Sequence, residues 1–202
     1  MAFEEYIKNK KAIVLGLDNV LYPEKDYLLQ VYYLFSEFMA YSEQLDSAQI
    51  IEFMREEFAA NGSESIFEKT VAKFNIPSKY KTNFDLLHQN ARLPLKLLLF
   101  KQMLSFLQEV VVERKAIFLL VDGDPAQQIN KIKQMEWHGL EQYLKVYFTE
   151  EFAPKPSANS IEFLMNENKV QLNELLMLGE SDLDREFAEK MGMEYLSVAK
   201  LL

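Results

Sequence analysis

Ala12-Ile13-Val14-Leu15-Gly16-Leu17-Asp18-Asn19-Val20-Leu21-Tyr22-Pro23 decides how the rest of the chain is read. An apolar run reaches Gly16, and a carboxylate follows two residues later at Asp18. An apolar run without polar alternation predicts a strand covered on both faces, hence one in a parallel sheet. We place that strand at residues 12–17. Ala116-Ile117-Phe118-Leu119-Leu120-Val121 repeats the pattern and ends at Asp122-Gly123. Leu175-Leu176-Met177-Leu178 does so again and ends at Gly179. Residues 145–148 and 195–198 predict two weaker strands.

Helical patterns separate these strands. One is predicted over 125–135, where Pro125 suits a first helical turn. Two more are predicted over 157–166 and 184–191. Strand and helix alternate from residue 116 onward, which predicts an α/β, doubly wound parallel sheet. Residues 24–93 break the alternation. Val31, Leu34, Phe35, Phe38 and Met39 recur at helical spacing, as do Ile50, Phe53, Met54 and Phe58. Asn61-Gly62 reads as a helix stop, and Ile66, Val71 and Phe74 continue on a new helix. The expected organisation is a core of residues 1–23 and 94–202 with an all-helical insertion at 24–93. The stripe Tyr32, Tyr33, Phe35 and Phe38 is expected to pack between helices rather than line a pocket.

Composition narrows the function. The chain has 202 residues, 49% of them hydrophobic, and a formal net charge of -9. That charge opposes both nucleic acid and anionic membrane as partners, since polyanions need clustered Lys and Arg. There are no cysteines, so disulfides, thiolate chemistry and Cys-ligated zinc are excluded. The two histidines, His88 and His138, lie far apart and read as structural or surface imidazoles. Runs such as Leu97-Leu98-Leu99-Phe100 are far too short to span a bilayer. The stretch Met1-Ala2-Phe3-Glu4-Glu5-Tyr6 lacks the basic-then-apolar pattern of a secretory leader, so a cytoplasmic location is expected.

Open parallel sheets bind ligands at the carboxyl ends of their strands. Four polar clusters fall there: Asp18-Asn19, Asp122-Gly123-Asp124, Lys155-Pro156, and Glu180-Ser181-Asp182-Leu183-Asp184. Strand-to-helix turns favour such residues for capping alone. Four in this order are a stronger joint signal than any one.

In that order the clusters resemble the four motifs of the haloacid dehalogenase-like superfamily, over nearly the whole chain. Residues 12–23 resemble the first motif, strand–Asp–x–Asp, and residues 121–128 the second. Residues 148–156 resemble the third, and Gly179 to Asp184 the fourth, Gly-Asp-x-x-x-Asp. The insertion resembles the family's helical cap, and Asn19-Val20-Leu21-Tyr22-Pro23 is nearest the nucleotidase-like phosphatases. The resemblance implies a Rossmann-like core, magnesium, and two-step phosphoryl transfer through an aspartyl-phosphate. Asp18 would be the acid and base, and Lys155 would hold nucleophile and phosphate. Val121, Asp122, Gly123 and Lys155 would form the phosphate post. Asp18, Glu180 and Asp184 would hold the cation.

Three posts depart from the pattern. Gly16 stands where the nucleophilic Asp is expected. Val121-Asp122 replaces a hydroxyl and an amide, and a like charge near phosphate costs about 1 to 4 kcal/mol at ~4 Å. Glu180 replaces an Asp ligand, where magnesium demands near-octahedral geometry at roughly 2.0–2.1 Å. The expectation is a phosphatase-like protein with impaired or lost catalysis. It would keep a binding role toward a small phosphorylated metabolite or a protein partner. The alternative is a metal-dependent phosphomonoesterase in which Asp18 activates water without a covalent intermediate. Six carboxylates (Asp18, Asp122, Asp124, Glu180, Asp182 and Asp184) are expected near one another, with a weak magnesium or calcium site at Glu180 and Asp184.

Overall fold

The computed structural model describes residues 3–202. Met1 and Ala2, the start of the stretch read above for a leader, lie outside them. The chain divides into two compact units. One comprises Met1–Pro23, Leu98–Gln128 and Met135–Leu202; the other comprises Glu24–Leu97 and Ile129–Gln134. The sequence boundary at 93 thus falls four residues later, at Leu97.

The first unit is built on five strands. They are β1 (Ala12–Leu15), β2 (Ala116–Val121), β3 (Leu144–Phe148), β4 (Leu175–Gly179) and β5 (Glu194–Ser197). Their order across the sheet is β3-β2-β1-β4-β5, and every neighbouring pair is parallel. All four residues of β1 are buried, and β1 has a strand on each side. Ala12 pairs with Ala116 on one side and with Leu175 on the other. The run expected to continue to Leu17 leaves the strand at Gly16. From there the chain closes a turn in which Leu21 N–H bonds Leu17 O at 3.0 Å and Asn19 N–H bonds Tyr22 O at 2.9 Å.

Period-two packing sorts the core onto the two faces of the sheet. Ala12 and Val14, Phe118 and Leu120, and Leu175 and Met177 point to the same face of the sheet. There they meet Ile161 and Leu164 of α7 (Asn159–Asn168) and Phe187 and Ala188 of α8 (Asp182–Met191). Helix α5 (Lys101–Val112), with Met103, Phe106, Leu107 and Val110 buried, packs on β2. The start of α8 lies two residues before the expected 184. Ser181 caps it, its Oγ accepting from Asp184 N–H at 3.1 Å.

The second unit holds α1 (Glu24–Glu43), α2 (Ser47–Asn61), α3 (Ile66–Phe74) and α4 (Lys81–Asn90). Asp46 caps α2 by accepting from Ala48 N–H at 2.9 Å and Gln49 N–H at 3.2 Å. Gly62 ends the same helix with φ of 76°. Half of the aromatic stripe is core: Tyr32 and Phe35 are fully buried, whereas Tyr33 is exposed and Phe38 half-buried. Phe35, Phe67 and Phe84 form a mutual cluster with centroids 5.1 to 5.8 Å apart. Helix α6 (Pro125–Gln134) is shared: its first four residues group with the sheet unit and its last six with this one. No helix of the described residues is long and apolar enough to cross a membrane.

His88 on α4 is buried against Phe84 at 4.9 Å and Tyr27 at 5.7 Å. Burial, helped by the nearby Lys131 charge, pushes its pKa down to about 4. The unfolded chain therefore binds this proton near pH 6.5 and the folded chain only near pH 4. Stability from this group is complete above about pH 6.5 and is lost as pH falls toward 4, by up to about 3 kcal/mol. His88→Gln is expected to flatten that stretch of the stability–pH curve, measured by urea unfolding. Gly179 generates a second expectation. A Cβ there would lie 2.5 Å from Asp184 Cβ, and helix α8 cannot yield that much. Gly179→Ala should lower unfolding free energy by about 1–3 kcal/mol, read in the same assay.

Candidate functional site

The sheet unit brings the ends of β2 and β4 and the segment after β3 together around one ammonium. Lys155 lies on that segment, and its side chain is 1% exposed. Its Nζ donates to Leu120 O at 3.2 Å, pairs with Asp122 Oδ2 at 2.9 Å, and donates to Asp184 Oδ1 at 2.8 Å. Two of the three ammonium donors are used in hydrogen bonds, and Asp122 adds a close ion pair. The Phe187 ring lies 5.8 Å away and dries that side.

The register of β2 and β3 sets the position of Asp122. Val121 pairs with Phe148, so the next residues, Asp122 and Thr149, leave the sheet side by side. The buried Thr149 hydroxyl donates to Asp122 Oδ1 at 2.7 Å. The Asp122 carboxylate is therefore turned inward, one oxygen toward Thr149 and the other toward Lys155. Gly123 follows at φ of 91°, and Gln128 Nε2 donates to Asp122 O at 2.9 Å. Val121 is buried and presents no polar side-chain atom.

At the end of β1, the Gly16 N–H donates to Leu178 O at 3.3 Å, carrying the ladder one residue past the strand. Its φ is not positive, so the backbone does not require glycine there. A Cβ at this position would meet Val20 Cγ2 at 3.2 Å and Asp184 Oδ2 at 3.7 Å. A carboxylate at residue 16 would therefore face Asp184. Half-buried Asp18 accepts a hydrogen bond from the fully buried Tyr22 hydroxyl at 2.5 Å.

Not every expected residue joins this group. Glu180 is exposed on the turn after β4. Asp182 is exposed and pairs with Arg185 three residues on. Asp124 accepts from Ala126 N–H at 3.0 Å and caps α6. Asp122 and Asp184 both pair with Lys155. Among the described residues no three His, Asp or Glu are placed to hold a cation together. Asp18, Glu180 and Asp184 thus do not form a three-carboxylate set among the described residues. The reason is local: Asp184 is spent on Lys155, Asp18 is engaged by Tyr22, and Glu180 points outward. Sequence reasoning missed Thr149 and the Tyr22 hydroxyl. The signal for Thr149 lay in its place directly after a predicted strand. Tyr195 lies near Asp184 and Glu180, and burial followed by those charges pushes its hydroxyl up.

The profile of the haloacid dehalogenase-like hydrolases matches residues 13–198. No curated protein matches by sequence. Among solved structures, a putative beta-phosphoglucomutase from Thermotoga maritima superposes with a TM-score of 0.65 at 14% identity. It covers 91% of this chain and 82% of its own. A putative hydrolase of the same family from Bacillus subtilis, bound to magnesium, gives 0.60 at 10% identity, covering 92% and 85%. A hydrolase from Streptococcus pneumoniae gives 0.55 at 16% identity, covering 96% of each chain. These likenesses are of fold. With the profile spanning all five strands and the helical insertion, this chain belongs to the haloacid dehalogenase-like hydrolase family.

Proposed function

We propose that this chain keeps the family's frame without its phosphoryl transfer, and that it acts by binding a small phosphorylated metabolite or a protein partner. The buried ammonium of Lys155, already paired with two carboxylates, carries this reading. By resemblance, that lysine would hold nucleophile and phosphate. Here its Nζ donates to Leu120 O and Asp184 Oδ1 and is ion-paired with Asp122. A phosphate reaching it must displace a carboxylate from a buried ammonium. Displacing one partner of a buried pair leaves an unpaired charge, which costs several kcal/mol. Gly16 supports the same reading, since no side chain extends from it toward phosphorus. Two carboxylates, Asp122 and Asp184, flank the Lys155 ammonium, so an anion arriving there meets net repulsion.

The deciding assay is magnesium-dependent hydrolysis of p-nitrophenyl phosphate by wild type and Asp18→Asn, prepared identically. Both are expected at the buffer rate. A wild-type rate that vanishes in Asp18→Asn would overturn the proposal and establish an Asp18-dependent phosphomonoesterase without a covalent intermediate. The ion cluster itself has a stability readout. Lys155→Met should cost about 3–5 kcal/mol in urea unfolding, because it strands two carboxylates. Lys155→Met/Asp122→Asn/Asp184→Asn should recover most of that loss. A lysine left open for an incoming phosphate would cost under about 1 kcal/mol to remove.

A further inference from the structure

The unit containing the four helices carries a second polar concavity. Segment 91–96 follows α4 and has no regular structure, yet its backbone is pinned by side chains. Asn130 Nδ2 and Gln134 Nε2 donate to Ala91 O at 3.1 and 2.9 Å. Gln134 Oε1 accepts from Leu93 N–H, and Gln30 Oε1 accepts from Leu95 N–H at 2.7 Å. Pro94 fixes φ between the last two anchors. The segment is irregular in conformation but held on both flanks of the proline.

This scaffold, with the end of α6, encloses a cavity of about 360 Å³ lined by Arg92, Lys96, Lys133 and Gln134. The size is that of a small-ligand site, usually about 300–1,000 Å³. All three cations are exposed, and none has an ion-pair partner among the described residues. Elsewhere on this unit several cations are paired: Lys69 with Glu57, Arg55 with Glu52, and Lys81 with Asp85. In a chain with a net charge of -9, three unpaired cations around one concavity run against the overall balance. Like charges held together repel, and a bound polyanion relieves that repulsion. Arg92 offers a planar two-pronged donor and the lysines offer point charges, which is the complement of phosphate oxygens.

We infer that the concavity of Arg92, Lys96 and Lys133 is a binding site for a small polyphosphorylated anion. The inference rests on the binding role proposed above, and gives it a ligand class and a place. Position and charge both differ from the strand-end cluster, where Lys155 is already paired with two carboxylates.

Pyrophosphate is the probe, titrated into the full chain and followed by calorimetry and by backbone amide shifts. Wild type is expected to bind with an affinity that falls as salt rises, shifting the amides of residues 92–96 and 133–134. Arg92→Gln/Lys96→Gln/Lys133→Gln replaces only exposed side chains, so its unfolding midpoint should stay close to wild type. Its affinity for pyrophosphate should drop at least about tenfold. No heat and no shifts with wild type at millimolar pyrophosphate would overturn the inference. Undiminished binding by the triple variant would do the same. Shifts confined to residues 120–124 and 155 would also overturn it, and would place the anion at the strand ends. Hydrolysis in the assay above, with pyrophosphate still held at Arg92, would instead remove only the non-catalytic reading.

Discussion

The sheet's carboxyl end depends on one buried ammonium. Lys155 sits where β2, the segment after β3, and α8 converge, and it binds one acceptor from each of Leu120, Asp122 and Asp184. A lysine in so dry a place is tolerated only with its charge balanced and its donors filled. The requirement runs both ways. Asp184 is 10% exposed on its side chain and needs a cation near it. With residue 16 a glycine, the charge that a carboxylate there would bring is absent, and Asp122 supplies a carboxylate from the neighbouring strand end. The three residues form a closed electrostatic unit. That closure ties the first turn of α8 to the sheet, where Gly179 permits the helix to approach to a distance that no Cβ tolerates.

Much of this architecture was legible in the sequence, and the reasons are physical. Strands β1, β2 and β4 are continuous apolar runs because both faces are covered, so periodicity and composition agree. The helical insertion was legible from its spacing, and the doubly wound sheet from alternation. Boundaries were less so. Helix α7 begins at Asn159 rather than 157, and α8 at Asp182 rather than 184. In α8 the difference traces to Ser181, which reads equally well as a loop residue until its hydroxyl is seen capping Asp184 N–H.

The candidate site was legible in its membership and illegible in its pairing. Lys155, Asp184 and Asp122 could be named from their places after strands. That Asp122 would turn toward Lys155 follows from the register Val121 with Phe148, which sets Thr149 beside it, and no local pattern encodes register between strands 27 residues apart. The same limit explains the cation set that does not form. Whether Asp18, Glu180 and Asp184 converge depends on side-chain direction at three separate turns. Arg92, Lys96 and Lys133 escaped the sequence reading for a related reason, since Lys133 joins the other two only through the return of α6.

The position of β1 has a kinetic consequence. It is the middle strand, yet its partners begin at residues 116 and 175, so neither edge is covered until most of the chain has been made. The helical insertion that follows it is rich in near-neighbour contacts and can form while β1 waits. Sheets that depend on distant pairings form slowly, because long loops must close before any contact rewards them. Ala12-Ile13-Val14-Leu15 is therefore the segment with the longest exposed lifetime during synthesis, an uncharged strand with both edges open. Its brevity, four residues between Lys11 and Gly16, limits the template it offers to other chains in that interval.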